Sequence, residues 1–198
     1  MATGRSNYLT KQTGEYVVAA ELSRRGFIAT TFTGNVPSYD IVAVDDRGGH
    51  ALVQVKAITA GSWQLNLGQF ADVEFNGPKQ IIRRQLDEPY PDLICVMVQI
   101  ASPDSGRADR FFVLPWCELA RIVIAGHTTY LAKHGGVRPR QPTSLHTAVK
   151  PEALQPWAGR WQVLTEHVRP TPANTALQPA SRARRVVKTK RSSRAVRG

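Results

Sequence analysis

Between Tyr39 and Lys56 the chain holds two runs rich in β-branched residues, Tyr39-Asp40-Ile41-Val42-Ala43-Val44 and Ala51-Leu52-Val53-Gln54-Val55-Lys56, separated by Asp45-Asp46-Arg47-Gly48-Gly49. Two such runs around an Asp- and Gly-rich turn form a β-hairpin. This hairpin carries polar side chains where one would ordinarily bury apolar ones. Side chains alternate faces along a strand, so Asp40, Val42 and Val44 share one side of the first arm, and Leu52, Gln54 and Lys56 share one side of the second. A three-residue loop, Asp46-Arg47-Gly48 with Gly48 in the left-handed conformation, sets Asp40 opposite Gln54 and merges the two faces. A slip of one residue sets Asp40 opposite Val55 and separates them.

An acid, an amide and a lysine at the end of a two-stranded ladder resemble the metal site of the PD-(D/E)XK nuclease superfamily. Pro37-Ser38-Tyr39-Asp40 stands for the first half of that motif and Gln54-Val55-Lys56 for the second. Two residues intervene between Pro37 and Asp40, and Gln54 occupies the position usually held by an acid. A neutral carbonyl oxygen can ligate Mg²⁺ but contributes no charge. Mrr-like restriction enzymes and VRR-type nucleases are similar in carrying Gln before x-Lys.

Lys11 to Arg25 has helical character, with Glu15, Val18, Ala19 and Leu22 at i, i+3, i+4 and i+7 on one stripe. Gly26 ends the helix in the left-handed position that glycine adopts most readily. The segment Gly14-Glu15-x-x-Val18-x-x-x-Leu22-x-x-x-Gly26-Phe27 resembles the first helix of archaeal Holliday-junction resolvases, in which a Glu reaches the metal site from the side. That resemblance assigns Glu15 to the site. The competing reading is an acid favouring the positive end of the helix dipole, worth about 0.3–1 kcal/mol.

Phe27–Phe32 reads as the first strand, and Thr33–Ser38 as a loop whose small polar residues, Asn35 and Ser38 among them, could lie near a phosphate. Ser62-Trp63-Gln64-Leu65-Asn66-Leu67 resembles the portion after x-Lys in group I intron homing nucleases. Trp63 and Gln64 there would contact nucleic acid, or Trp63 would serve as an ordinary core tryptophan. Pro78–Leu86 suits a short helix with a basic face of Lys79, Arg83 and Arg84. Asp92–Ile100 is the strongest buried-strand signal. Phe111–Leu114 returns as a strand, and Pro115–Ala125 follows as a helix before Gly126. The order helix, strand, hairpin, helix, strand, strand, helix is the α/β sandwich of the superfamily, a restriction-endonuclease-like three-layer arrangement with a central mixed β-sheet flanked by helices.

Beyond Gly126 the pattern weakens. His127, His134, His146 and His167 lack ligand spacing and read as surface or loop histidines. Trp157 and Trp161, four apart, would share one helical face as a core anchor. Cys95 and Cys117 are isolated, which excludes a Cys-rich metal cluster or a disulfide framework, and Cys95 sits inside an apolar run.

The formal net charge is +11, yet residues 169–198 carry nine positive charges and no acid, which leaves +2 for residues 1–168. The tail holds Pro170, Pro172 and Pro179 and few large apolar residues, so it is expected to be disordered alone and to bind polyanions through Arg182, Arg184, Arg185, Lys188, Lys190 and Arg191. A solubilising extension is the alternative. The division expected is a nuclease-like domain over residues 1–168, with its core at about 11–126 and an extension at 127–168, followed by the tail at 169–198. No apolar run approaches the ~20 residues needed to span a bilayer, no signal-peptide core opens the chain, and no Gly-rich nucleotide loop occurs. The expected compartment is cytoplasmic, and nucleoid-associated if the source is prokaryotic.

The resemblance implies a metal-dependent endonuclease that hydrolyses DNA. Asp40, the Gln54 side-chain oxygen, the Val55 carbonyl and Glu15 would hold Mg²⁺ or Mn²⁺, and Lys56 would orient or deprotonate the attacking water. Symmetric cutting would need a homodimer. The alternatives are a nuclease-fold protein that binds nucleic acid without cleaving it, which Gln54 would permit, and a structural subunit of a DNA repair or defence complex.

Overall fold

The computed structural model describes residues 4–32 and 38–169. It is a mixed α/β sandwich whose central sheet has the strand order β1-β2-β3-β7-β8. Helix α1, Gly4–Arg24, packs on strands β1 (Ile28–Thr31), β2 (Ile41–Val44) and β3 (His50–Ile58). It begins well before Lys11, and it ends as its sequence requires. Gly26 takes φ 88°, and the Phe27 amide turns back to the Leu22 carbonyl at 3.1 Å. The predicted stripe is the buried one, with Val18 and Leu22 fully enclosed.

The hairpin takes the merged register. Ile41 pairs with Val53, Val42 with Leu52, Ala43 with Ala51 and Val44 with His50, so the next pair in line is Asp40 with Gln54. Three residues, Asp46 to Gly48, make the turn, with Gly48 at φ 78°. Asp45 holds the turn closed by accepting from the Arg47 and Gly49 amides at 3.0 and 2.6 Å.

Strand β4 (Trp63–Asn66) leaves the central sheet to pair with β9 (His146–Val149), and β5 (Ala71–Asn76) pairs with β6 (Lys79–Gln85) as a separate ribbon. The chain then re-enters the central sheet through β7 (Ile94–Gln99), parallel to β3, and β8 (Arg110–Pro115), antiparallel to β7. The sheet is therefore mixed. Helix α2 (Trp116–Lys133) covers one face together with the two ribbons, and α1 with α3 (Gln162–His167) covers the other. Among the described residues, no helix is long and apolar enough to cross a membrane.

Five expectations change. Helix α2 does not stop before Gly126 but runs through it to Lys133. Residues 79–85 form a strand rather than a helix, because Gly77, at φ 57°, and Pro78 make a two-residue turn that folds 79–85 back on β5. His127 is 1% exposed, so it is not a surface residue. Its Nδ1 lies 2.6 Å from Thr147 Oγ1 and its Nε2 2.8 Å from Gln80 Oε1, and these bonds tie α2 to both ribbons. Trp157 and Trp161 do not share a helix. A 3₁₀ segment ends at Trp157, Gly159 at φ 63° breaks the path, and Trp161 precedes α3 against Phe111. Arg169, counted with the basic tail, closes onto the fold instead: its backbone exchanges two 3.0 Å hydrogen bonds with His50, and its Nε donates to Asp92 Oδ2 at 2.8 Å. Residues 170–198 lie outside the described residues.

Gly14 lets α1 approach the sheet closely, since a Cβ there would fall 2.5 Å from Ala57 Cβ. Gly14→Ala is expected to destabilise by about 1–3 kcal/mol through overpacking. Gly126→Ala on α2, where a Cβ meets nothing within 4 Å, is expected to stabilise by roughly 0.5–1 kcal/mol. Urea unfolding of both variants measures these opposite signs.

Candidate active site

Strand β2 begins only at Ile41, opposite Val53, but β3 continues to Ile58, so the amides of β3 outrun their partner strand. Asp40 fills the gap. Its own N–H donates to the Val53 carbonyl at 2.8 Å, and its Oδ2 accepts from the Val55 N–H, also at 2.8 Å. A side-chain carboxylate thus stands where a backbone carbonyl would have continued the ladder. One carboxylate oxygen is committed to the sheet, and the other, Oδ1, is left for a cation. Because the N–H and C=O of one strand residue point to the same edge, the Val55 carbonyl faces this end too.

Just upstream, Ser38 adopts φ 73°, a left-handed conformation costing a non-glycine residue about 1–2 kcal/mol. Its carbonyl accepts from Gln54 Nε2 at 2.9 Å. That bond fixes the amide's orientation and leaves Oε1 as the end able to accept or ligate. A glutamate at 54 could not donate to Ser38, which gives Gln54 a structural reason to be an amide.

Asp40, Gln54, Lys56 and Ser38 line one cavity of about 480 Å³. Gln54 and Lys56 share the strand face of Leu52, which packs on the α2 side, and Asp40 stands at the end of the ladder beside them. Phe70 and Trp116, stacked with ring centroids 5.5 Å apart, form part of its wall. Lys56 is held from behind: its backbone carbonyl accepts from the Trp63 indole Nε1 at 2.9 Å. Trp63 is 2% exposed and meets Phe112 edge-on, so it buttresses the strand and is not available to nucleic acid. Gln64 is exposed, bonded to Ser62 Oγ, and outside the cavity. Asn35 lies outside the described residues, as do Arg182, Arg184, Arg185, Lys188, Lys190 and Arg191.

Glu15 approaches from the opposite layer and joins at one remove, through Lys11. The Lys11 ammonium stands 3.5 Å from Glu15 Oε1 and 3.8 Å from Asp40 Oδ1. The dipole reading of Glu15 is overturned because α1 starts at Gly4, which leaves no acid in its first turn. Lys11 was missed as a site residue. Its signal was its i−4 relation to Glu15, which places both on one side of the helix. Gln69 and Asp87, also on the cavity wall, could not have been found, because only the β5–β6 ribbon brings its two ends to that place.

Among the described residues, no group of three or more His, Cys, Asp or Glu gathers as a metal site. Asp40, Glu15, the Gln54 side-chain amide and the Val55 carbonyl offer oxygen donors alone, a chemistry that suits a hard cation such as Mg²⁺ or Mn²⁺ and does not suit structural Zn²⁺.

Burial, and next the charge of Asp40, holds the Glu15 carboxyl above its ordinary range, while the Lys11 ammonium pulls it down. With the folded value above the unfolded one, the contribution of Glu15 to stability is full only below the unfolded value, and it is lost as pH rises through the folded one. Glu15→Gln should therefore raise Tm at neutral pH without divalent cations, and the gain should disappear below about pH 4. Thermal melts across that range measure it, and a lowered Tm at pH 7 contradicts the assignment.

No family model matches the chain, and no curated protein does. Among solved structures, the bacterial homing endonuclease I-Ssp6803I is similar with a TM-score of 0.44 and 14% sequence identity, covering 81% of this chain and 94% of that one.

Proposed function

We propose that the protein is a divalent-cation-dependent endonuclease of the PD-(D/E)XK kind that hydrolyses DNA phosphodiester bonds. The observation that carries this reading is the meeting of Asp40, Gln54 and Lys56 in one cavity, with Lys11 linking Asp40 to Glu15 from the other layer. Asp40 Oδ1, the Glu15 carboxylate, Gln54 Oε1 and the Val55 carbonyl are the groups to hold Mg²⁺ or Mn²⁺. When bound, such a cation supplies positive charge to the phosphate and makes a neighbouring water more acidic.

The protein's own groups do the rest. Lys56, fixed by the bond of Trp63 to its carbonyl, orients the attacking water and stabilises charge building on the phosphate oxygens. The Ser38 turn holds the Gln54 amide, and thereby one wall of the cavity, in place before substrate arrives. Residues 170–198 act as a basic tether that raises the local concentration of DNA, through Arg182, Arg184, Arg185, Lys188, Lys190 and Arg191 in particular. A second reading, a nucleic-acid-binding protein that does not hydrolyse, draws on Gln54, whose amide brings no charge to the site.

Nicking of supercoiled plasmid tests the proposal. The wild type should cleave with Mg²⁺ or Mn²⁺ and not with EDTA. Asp40→Ala and Lys56→Ala should each lose at least about 10²-fold in rate while DNA affinity persists. DNA binding without cleavage by the wild type would favour the second reading. Deleting residues 170–198 should weaken binding to plasmid and flatten its salt dependence, with the cleavage rate on a short, saturating duplex unchanged.

A further inference from the structure

Lys11 belongs to none of the roles assigned above, yet it holds the central position. Its ammonium lies within 4 Å of both carboxylates, which come from different elements. The acids are well covered, at 15% and 17% side-chain exposure, whereas Lys11 is 57% exposed. Both contacts, at 3.5 and 3.8 Å, exceed the ~2.7–2.9 Å of a tight charge-assisted hydrogen bond, so the two acids hold the ammonium loosely between them. A long, flexible stem on an exposed base lets the charge leave without moving the backbone.

The helix itself gives no reason for a cation at this position. Lys preceding Glu at i,i+4 is the less favourable orientation of that pair. Lys11 also lies in the N-terminal half of α1, away from the negative end of the helix dipole. The demand comes from the two acids, which repel each other when neither is neutralised.

We infer that Lys11 is a displaceable internal cation: it sits between Glu15 and Asp40 in the free protein, gives way when a divalent cation enters, and then turns its ammonium to a phosphate at the same cavity. Lys11 lines that cavity together with Lys56, so the released charge has only to swing on its own stem. Cation entry and phosphate binding are thereby coupled, and by linkage each strengthens the other. This inference rests on the reading of Glu15 and Asp40 as the cation site.

The test uses the full chain and Mn²⁺ alone, with binding followed by electron paramagnetic resonance without DNA. Lys11→Met removes the competitor and should tighten Mn²⁺ binding at least about fivefold, the effect of one charge at about 4 Å in high dielectric. Lys11→Arg should remain close to the wild type, and Asp40→Asn should abolish binding in either background. If Lys11→Met binds Mn²⁺ no more tightly while Asp40→Asn still abolishes binding, displacement is overturned and the cation site stands. If Asp40→Asn leaves Mn²⁺ affinity unchanged, both readings fall. For the phosphate half, Lys11→Met should reduce the slope of log affinity against log salt for a short DNA duplex by about one in Ca²⁺ and leave it unchanged in EDTA. Equal slopes for wild type and variant in Ca²⁺ would overturn that half.

Discussion

The hydrogen bond from the Val55 amide to the Asp40 carboxylate is the contact on which the candidate site depends. It occurs because the β2–β3 pairing ends at Ile41 and Val53 while β3 runs on, and the side chain of the residue just before β2 supplies the acceptor for Val55. The bond places a negative charge at the open end of a ladder and orients its second oxygen outward. It also leaves the Val55 carbonyl facing the same edge. A polar group at a strand end is usually satisfied by water; here the fold uses it to aim a carboxylate.

Two further constraints bring the other groups in. The left-handed turn at Ser38 sends its carbonyl to the Gln54 amide, so the residue that lacks a charge is also the one that holds the loop. The close approach of α1 at Gly14 brings Glu15 to the sheet end from the opposite layer, where burial first and the charge of Asp40 second raise its proton affinity. Lys11 stands between the two acids in the free protein. The site is thus assembled by one helix and one hairpin, and the rest of the fold holds those two in register. The buried His127–Gln80–Thr147 network does this at a distance, locking the β5–β6 ribbon whose ends reach the cavity wall.

The parts of this arrangement governed by local periodicity were legible in the sequence. The hairpin was legible from a period of two, the fold takes the one of its two open registers that puts Gly48 at positive φ, and the buried stripe of α1 followed from a period of 3.6. What local pattern could not carry was misjudged. Residues 79–85 contain good helix formers, but pairing with β5 through Gly77-Pro78 overrode propensity. His127 gave no signal because its partners, Gln80 and Thr147, are remote in sequence and adjacent only once both ribbons fold. Trp63 was open between core and surface until the fold placed it behind Lys56. Lys11 sat in plain view four residues before Glu15, and its bearing on the site appeared only when α1 was laid against the end of β2.

The central claim is that a divalent cation is gripped at the junction of this helix and hairpin. A crystal of the protein soaked in Mn²⁺, with the ion located by its anomalous signal, tests it most directly. The account predicts a peak at about 2 Å from Asp40 Oδ1, with the Gln54 side-chain oxygen and the Val55 carbonyl also in contact and the Lys11 ammonium displaced from between the acids. A peak elsewhere, or none at saturating Mn²⁺ with Lys11 still in place, would contradict it.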